Sequence, residues 1–263
     1  MLDAMNTSIA SDVEKPDHFE QLIHLPYSSV GPSGRLRPDR LIRLFQDVSS
    51  THCYQLGCSA LQLAPGEVKW VISRYQIRFL SIPRWPDLVK LKTWRRPWKN
   101  LYDLRYLCLE DPEGKHLIHG VSFWNLIKAD SGRPVRLSHY MPPERLGLEP
   151  DRIPEFWENE HKEIQAEHTC RFSVEARELD MNQHVNNTAY ITWAMNPLPL
   201  EFLSAHLPQT MTVSYLKETF YRDKMVSAVE EERFEDRTRT RHLITNETTG
   251  TPVARLTMDW KGI

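Results

Sequence analysis

Apolar and polar residues alternate through "HFEQLIHLPYSSV", residues 18–30, and a period of two predicts a strand. After the turn "GPSG" the period changes. In "RLRPDRLIRLFQDVSSTHCYQLG", Leu41, Leu44, Phe45 and Val48 recur at helical spacing, and Gly57 is a stop signal. Strand-like runs return in "VKWVISRYQIRFL", "LVKLKTW", "LYDLRYLCLE" and "KHLIHGVSFWNLIKA", the last two joined as a hairpin through "DPEG".

The same order then repeats. "HTCRFSVEARE" predicts a strand and "LDMNQHVN" a turn. "NTAYITWAM" predicts a helix, with Tyr190, Trp193 and Ala194 at helical spacing. The runs "TMTVSYLKETF", "KMVSAVEEERF", "RTRHLITNE" and "PVARLTMDW" predict strands, with "NETTG" where "DPEG" stood. An offset of 149 lays Val30–Leu36 over Leu179–Val185, with little identity, so the repeat is one of pattern. The reading divides the chain into a mobile tail at 1–17, a first unit at 18–140, a linker at 141–167 and a second unit at 168–263. The linker is rich in proline and charge, and Ile153, Phe156 and Trp157 in it need a surface to lie on. The expected class is α+β: in each half a long central helix is wrapped by a curled antiparallel sheet. One sheet covers one helix well, so the halves are expected to join edge to edge.

With 263 residues, 40% of them hydrophobic, the chain can build one large core or two small ones. No run approaches the roughly 20 apolar residues that span a bilayer, and the first residues lack the basic start and apolar middle of a signal peptide. A cytoplasmic protein without membrane insertion is the expectation. Cys53, Cys58, Cys108 and Cys170 show no C-x-x-C pairing and are expected to be free buried thiols in a reducing compartment. A formal net charge of −2 argues against a dedicated nucleic-acid binder.

The candidate chemistry lies in "RELDMNQHVNNTAYITWA", residues 177–194. It crowds Asp180, Asn182, Gln183, His184, Asn186 and Asn187 just ahead of an apolar helix. In an extended approach, Asp180, Asn182 and His184 face one way. The positive end of the helix favours an anion there and disfavours imidazolium, and its backbone N–H groups can receive a developing oxyanion. Helix capping explains the stretch about equally well, although capping needs one acceptor rather than an acid, an amide and an imidazole together. Downstream, Met211, Val213 and Tyr215 alternate on one parity and Leu216, Glu218 and Phe220 on the other. A bulge near Tyr215–Leu216 would bring them onto one apolar face, where desolvation makes a carboxylate a better base. An exposed edge-strand glutamate is the competing reading.

"LDMNQHVNN" followed by the aromatic helix "YITWA" resembles the signature of the acyl-acyl-carrier-protein thioesterases, a family that includes the plant plastid enzymes and bacterial relatives. The similarity continues in "YSSVGPSGRLR", "WVISRYQIRF", "PRWPDLVKLKTW" and "RPVRL". The resemblance implies a tandem pair of hotdog domains and the hydrolysis of fatty acyl-ACP to free fatty acid and holo-ACP in fatty acid biosynthesis. It implies no cofactor and places Asp180, Asn182, His184 and Glu218 in the catalytic network. On that basis Glu218, helped by His184, activates water. Asn182 and backbone N–H groups hold the carbonyl oxygen. Asp180 orients Asn182 or His184, or shares the base role. Plant members carry cysteine where Thr219 stands, so a cysteine acyl-enzyme at this position is excluded here.

Gly31, Ser33 and Arg35 occupy the matching turn of the first half, which is therefore expected to be non-catalytic and to enclose an apolar slot for the acyl chain. Trp70, Ile72, Phe123 and Trp124 are candidate liners, with core packing as the alternative for each. In "KLKTWRRPWKN", Arg95, Arg96 and Lys99 are candidates for steering the small acidic carrier protein, against a solvated hairpin tip. Other readings remain open. Asp180, His184 and Glu218 could ligate a metal. The substrate could be an acyl-CoA or an enoyl thioester, or the protein could bind acyl thioesters without catalysis. Chain length and saturation preference are not legible, and a homodimer is left open.

Overall fold

The computed structural model describes residues 18–59, 61–63, 66–141, 143, 146 and 163–263. The expected tail, together with Ile153, Phe156 and Trp157 of the expected linker, lies outside them.

The elements run β1 (His18–His24), α1 (Pro38–Gln55), β2 (Val68–Phe79), β3 (Leu88–Trp98), β4 (Tyr102–Glu110) and β5 (His116–Lys128). They continue β6 (His168–Ser173), α2 (Asn187–Met195), α3 (Leu200–Ala205), β7 (His206–Tyr215), β8 (Lys224–Arg233), β9 (Thr238–Asn246) and β10 (Thr251–Gly262). All ten strands form one sheet in the order β1-β3-β4-β5-β2-β7-β10-β9-β8-β6. From the outer edges inward, the two halves have the same strand order. They meet at an antiparallel seam in which Arg74–Arg78 of β2 pair with Thr210–Ser214 of β7. A Cβ at Gly120 of β5 would collide with the Gln76 carbonyl and Ile77 of β2, so this close approach next to the seam requires glycine.

The helices differ in how they are buried. Pro38 opens α1 at a position that needs no N–H. Leu41, Ile42, Phe45, Val48 and His52 form its buried face. Phe45 is fully buried, and burial of such a side chain is worth roughly 1.5–3 kcal/mol. The helix ends where Cys58 N–H reaches the Cys53 carbonyl (3.0 Å) and Gly57 N–H that of Tyr54 (3.1 Å), with Gly57 at φ 73°. This is the Schellman pattern, which needs a left-handed residue at that point. By contrast α2 is buried almost all round: Thr188, Ala189, Tyr190, Ile191, Trp193, Ala194 and Met195 are all shielded. The expectation of a long helix in each half fails here, since α2 has 9 residues against 18 in α1. Pro197 and Pro199 follow at once, and proline cannot continue the ladder. The short helix α3 and the start of β7 at His206, ahead of Thr210, go beyond the pattern read from the sequence. A main apolar core runs through both halves, from Leu41 and Phe45 to Trp193, Leu256 and Trp260. Asp39 on α1 accepts from Thr192 on α2 (3.3 Å), which ties the two helices together.

Candidate active site

The segment ahead of α2 is a closed turn rather than an extended approach. Asp180 N–H donates to the His184 carbonyl (2.8 Å) and Gln183 N–H to that of Asp180 (3.0 Å). Gln183 adopts φ 62°, and Leu179 bridges Val185. The Asp180 carboxylate faces inward on this turn. Its Oδ1 accepts from the N–H groups of Asn182 (2.8 Å) and His184 (3.3 Å), and its Oδ2 from Asn182 Nδ2 (3.4 Å). Asp180 thus organises the loop that presents Asn182 and His184. Capping of α2 falls instead to Asn186, which accepts from Thr188 N–H (3.0 Å). Capping and candidate chemistry are both present, on different residues.

Glu218 arrives from the other side. β7 stops at Tyr215. The N–H groups of Leu216 and Lys217 both point to the Val253 carbonyl (2.8 and 3.2 Å), two residues set against one in the manner of a bulge. The chain then leaves the sheet. Glu218 is not sandwiched on an apolar face, because its side chain is 40% exposed and Leu216 and Phe220 are exposed beside it. Its Oε1 lies 2.8 Å from Lys69 Nζ of β2 and 3.4 Å from His184 Nδ1. The Phe220 ring stands edge-on to His184, with centroids 5.2 Å apart.

Sequence reasoning missed the two supports of this arrangement. Lys69, from the first half, fixes the Glu218 carboxylate across the seam. A lysine in a half-buried strand gives no signal until its partner is placed. Thr219 is almost fully buried. Its hydroxyl bonds the Tyr190 hydroxyl (2.6 Å) and its carbonyl accepts from Val185 N–H (3.1 Å). Burial pushes the Tyr190 hydroxyl up to about 12, so it remains a hydrogen-bonding phenol. The loop bearing Glu218 is in this way tied to both α2 and the turn of His184.

All four polar candidates line one cavity of about 700 Å³, which reaches across β2 into the first half. Trp70, Ile72 and Trp124 line it. Phe123 does not: adjacent strand residues point to opposite faces, and it packs with Leu104, Tyr106 and Val121. The cavity is not apolar throughout. Gln46, Ser49, Ser50 and Cys53 of α1, with Asp103 and Arg105 of β4, also line it.

Two of the three residues expected to form a steering patch are buried. Arg95 is buried, with Nε on both Asp103 oxygens (3.0 and 2.9 Å). Arg96 is buried and donates to the Arg95 carbonyl (2.9 Å). As consecutive strand residues they point to opposite faces, and both faces of β3 are covered at this point. Only Lys99 of the three is exposed, at the hairpin tip, with its ammonium 4.5 Å from the Trp98 ring centre. Among the described residues, the groups whose donors lie within 4.8 Å of one another are Cys108–Glu110–His116 and Glu167–His168–Glu231. Asp180, His184 and Glu218 do not form such a group. Of the four cysteines, all free, Cys58 and Cys108 are buried, whereas Cys53 and Cys170 are partly exposed.

Solved structures place this architecture among the hotdog folds. A protein of unknown function with a hot dog fold from Alicyclobacillus acidocaldarius superposes with TM-score 0.55 at 8% identity, covering 94% of this chain and 93% of that one. An acyl-ACP thioesterase from Bacteroides thetaiotaomicron superposes with TM-score 0.81 at 19% identity, covering 93% and 98%. The description "Acyl-ACP thioesterase N-terminal domain" matches residues 16–141, and "Acyl-ACP thioesterase C-terminal domain" matches residues 161–262. The chain belongs to the acyl-ACP thioesterase family. It is 28% identical over 235 residues to a chloroplastic oleoyl-acyl carrier protein thioesterase of Coriandrum sativum, covering 82% of this chain and 63% of that relative's length.

Proposed function

We propose that this protein hydrolyses fatty acyl-ACP to a free fatty acid and holo-ACP, as a tandem pair of hotdog domains in which residues 168–263 carry the chemistry and residues 18–140 the acyl chain. The observation that carries this reading is the convergence of Asp180, Asn182, His184 and Glu218 on one cavity that extends from the second half into the first.

The geometry supports these roles. Glu218 and His184 face each other at 3.4 Å, close enough for one water to bond both and lose its proton as it attacks the thioester carbon. Asn182 lies on the same rim, and its side-chain N–H groups can receive the carbonyl oxygen as it becomes an oxyanion. Asp180 orients these two residues through the loop bonds described above. Lys69 and Thr219 hold Glu218 in place. Thr219 is committed to Tyr190 and Val185, so the position offers no nucleophile. Collapse of the tetrahedral intermediate expels the carrier's phosphopantetheine thiolate, which takes up a proton. A reducing compartment such as the cytoplasm suits the four unpaired thiols.

Thiol release from carrier-bound acyl chains of graded length tests the proposal, with acyl-CoA of matched length in parallel. The expected result is turnover of the carrier-bound series, lost in Glu218→Ala and Asn182→Ala proteins that retain the far-UV spectrum of the parent. Turnover confined to CoA substrates would move the function to an acyl-CoA hydrolase. Tight acyl-thioester binding without thiol release would make the protein a binding module.

A further inference from the structure

The first half's share of the cavity wall includes Asp103 and Arg105, charged groups that the hydrolysis has no use for. Arg105 and Arg95 face each other on neighbouring strands, both almost fully buried, and Asp103, two residues along β4 from Arg105, is the carboxylate of the group. Arg95 is satisfied by Asp103. Arg105 turns elsewhere: Nη1 donates to His52 Nδ1 (2.8 Å) and Nη2 to Cys53 Sγ (2.7 Å). Arg95 Nη1 lies 3.5 Å from Cys58 Sγ. Two buried guanidiniums against one carboxylate leave a surplus positive charge, which is costly away from water unless something balances it. A thiolate on Cys53 supplies that balance and is the natural acceptor for a guanidinium at 2.7 Å.

The helix end places a second thiol beside the first. In a Schellman cap the third residue from the end and the residue after the left-handed one come into side-chain contact. Here these are Cys53 and Cys58. Their backbone bond of 3.0 Å keeps the two Cα atoms within about 7 Å, the reach of a disulfide.

We propose that Cys53, on the cavity wall, and Cys58, buried behind it, form a redox-active dithiol whose co-substrate is a hydroperoxide. The Cys53 thiolate attacks one peroxide oxygen. The S–O bond forms, the O–O bond breaks, and the leaving hydroxide or alkoxide takes a proton from solvent. Cys58 sulfur then attacks the sulfenic sulfur. The S–S bond forms and the S–O bond breaks, and the departing hydroxide leaves as water with the Cys58 proton. Two thiols are oxidised by two electrons, and the peroxide is reduced to two waters, or to water and an alcohol.

Several features support this pairing. The Cys58 thiol hydrogen bond, opposed by burial and aided by Arg105 and Arg95, holds Cys53 below the ordinary thiol range, while the same bond and burial push Cys58 up and keep its proton in place. The groups facing the pair are His52 of α1, Arg95 of β3, and Asp103 and Arg105 of β4. Cys53 lines the cavity, so a small peroxide has access. Cys170 lies on β6, outside this cluster, and serves as an internal reference.

The test uses the intact reduced protein and hydrogen peroxide. Peptide mass mapping after one equivalent should show a Cys53–Cys58 disulfide, with four titratable thiols falling to two. Monobromobimane should alkylate Cys53 at pH 7 at least about tenfold faster than Cys170, with a midpoint below the ordinary thiol range. Cys58→Ser should trap sulfenic acid at Cys53, detectable with dimedone. These readouts do not involve hydrolysis, so they stand or fall independently of the proposed activity. Alkylation of Cys53 no faster than Cys170, or oxidation that maps to Cys108 or Cys170 instead, would overturn the inference.

Discussion

The two halves contain the same turn twice. Gly31 N–H bonds the Arg35 carbonyl at 2.9 Å, as Asp180 bonds that of His184 at 2.8 Å. Gly34 stands at φ 70° where Gln183 stands at 62°. Val30 bridges Leu36 as Leu179 bridges Val185. Each turn docks onto the loop that follows the next strand, Leu36 N–H on the Pro83 carbonyl and Val185 N–H on that of Thr219. The residue before that docking point is buried Ile82 in one half and Glu218 in the other. The backbone geometry of the turn is therefore not what makes a site. It is held by main-chain bonds in both halves, and the chemistry is added by three side chains on the turn and one on the docking loop.

The comparison can be broken most directly at His184. His184→Ala should lower kcat for acyl thioester hydrolysis about 10²–10³-fold, the scale typical of removing a group that acts on the transition state; near-normal turnover would mean that the second turn is as inert as the first. Asp180→Gly gives the second turn the residue of the first. The closing backbone bonds remain, so the fold should hold while kcat drops roughly 10–100-fold through misplaced Asn182 and His184. Thr219→Val leaves the docking carbonyl and deletes the hydroxyl bond to Tyr190. A loss of about 1 kcal/mol in urea unfolding is expected, largely recovered in Thr219→Ser. The smallest effect should come from the reverse graft. Gly31→Asp, Ser33→Asn and Arg35→His together, in a His184→Ala background, should restore no measurable hydrolysis, because Ile82 stands where a base is needed. Restored thiol release would show that the first half carries a latent site.

Much of this arrangement was legible because it follows from local patterning. The strand periods, the helix at Leu41–Val48 with its stop at Gly57, the hairpin turns and the offset of 149 between the two turns all express short-range rules. What failed depended on neighbours distant in sequence. Lys69 has meaning only when β2 lies beside β7. Arg95 and Arg96 read as a surface patch until Asp103 and the burial of β3 are known. Phe123 and Trp124 could not both face the cavity, a conflict visible in strand geometry alone. Of the two readings for Glu218, the apolar face needs the strand to run on past Tyr215, where the chain leaves the sheet, and the exposed one fits its half-open side chain.

The β2–β7 seam also sets the phase of the whole arrangement. Successive residues along a strand advance by roughly 3.4 Å and point to alternate faces. A slip of one rung would thus carry Glu218 more than the 2.8 Å length of its bond away from Lys69 and turn Met211 and Val213, both fully buried, outward. The packing penalty for misalignment and the loss of the carboxylate's anchor arise from a single displacement, so the hydrophobic interior acts as the ruler against which the reactive groups are aligned.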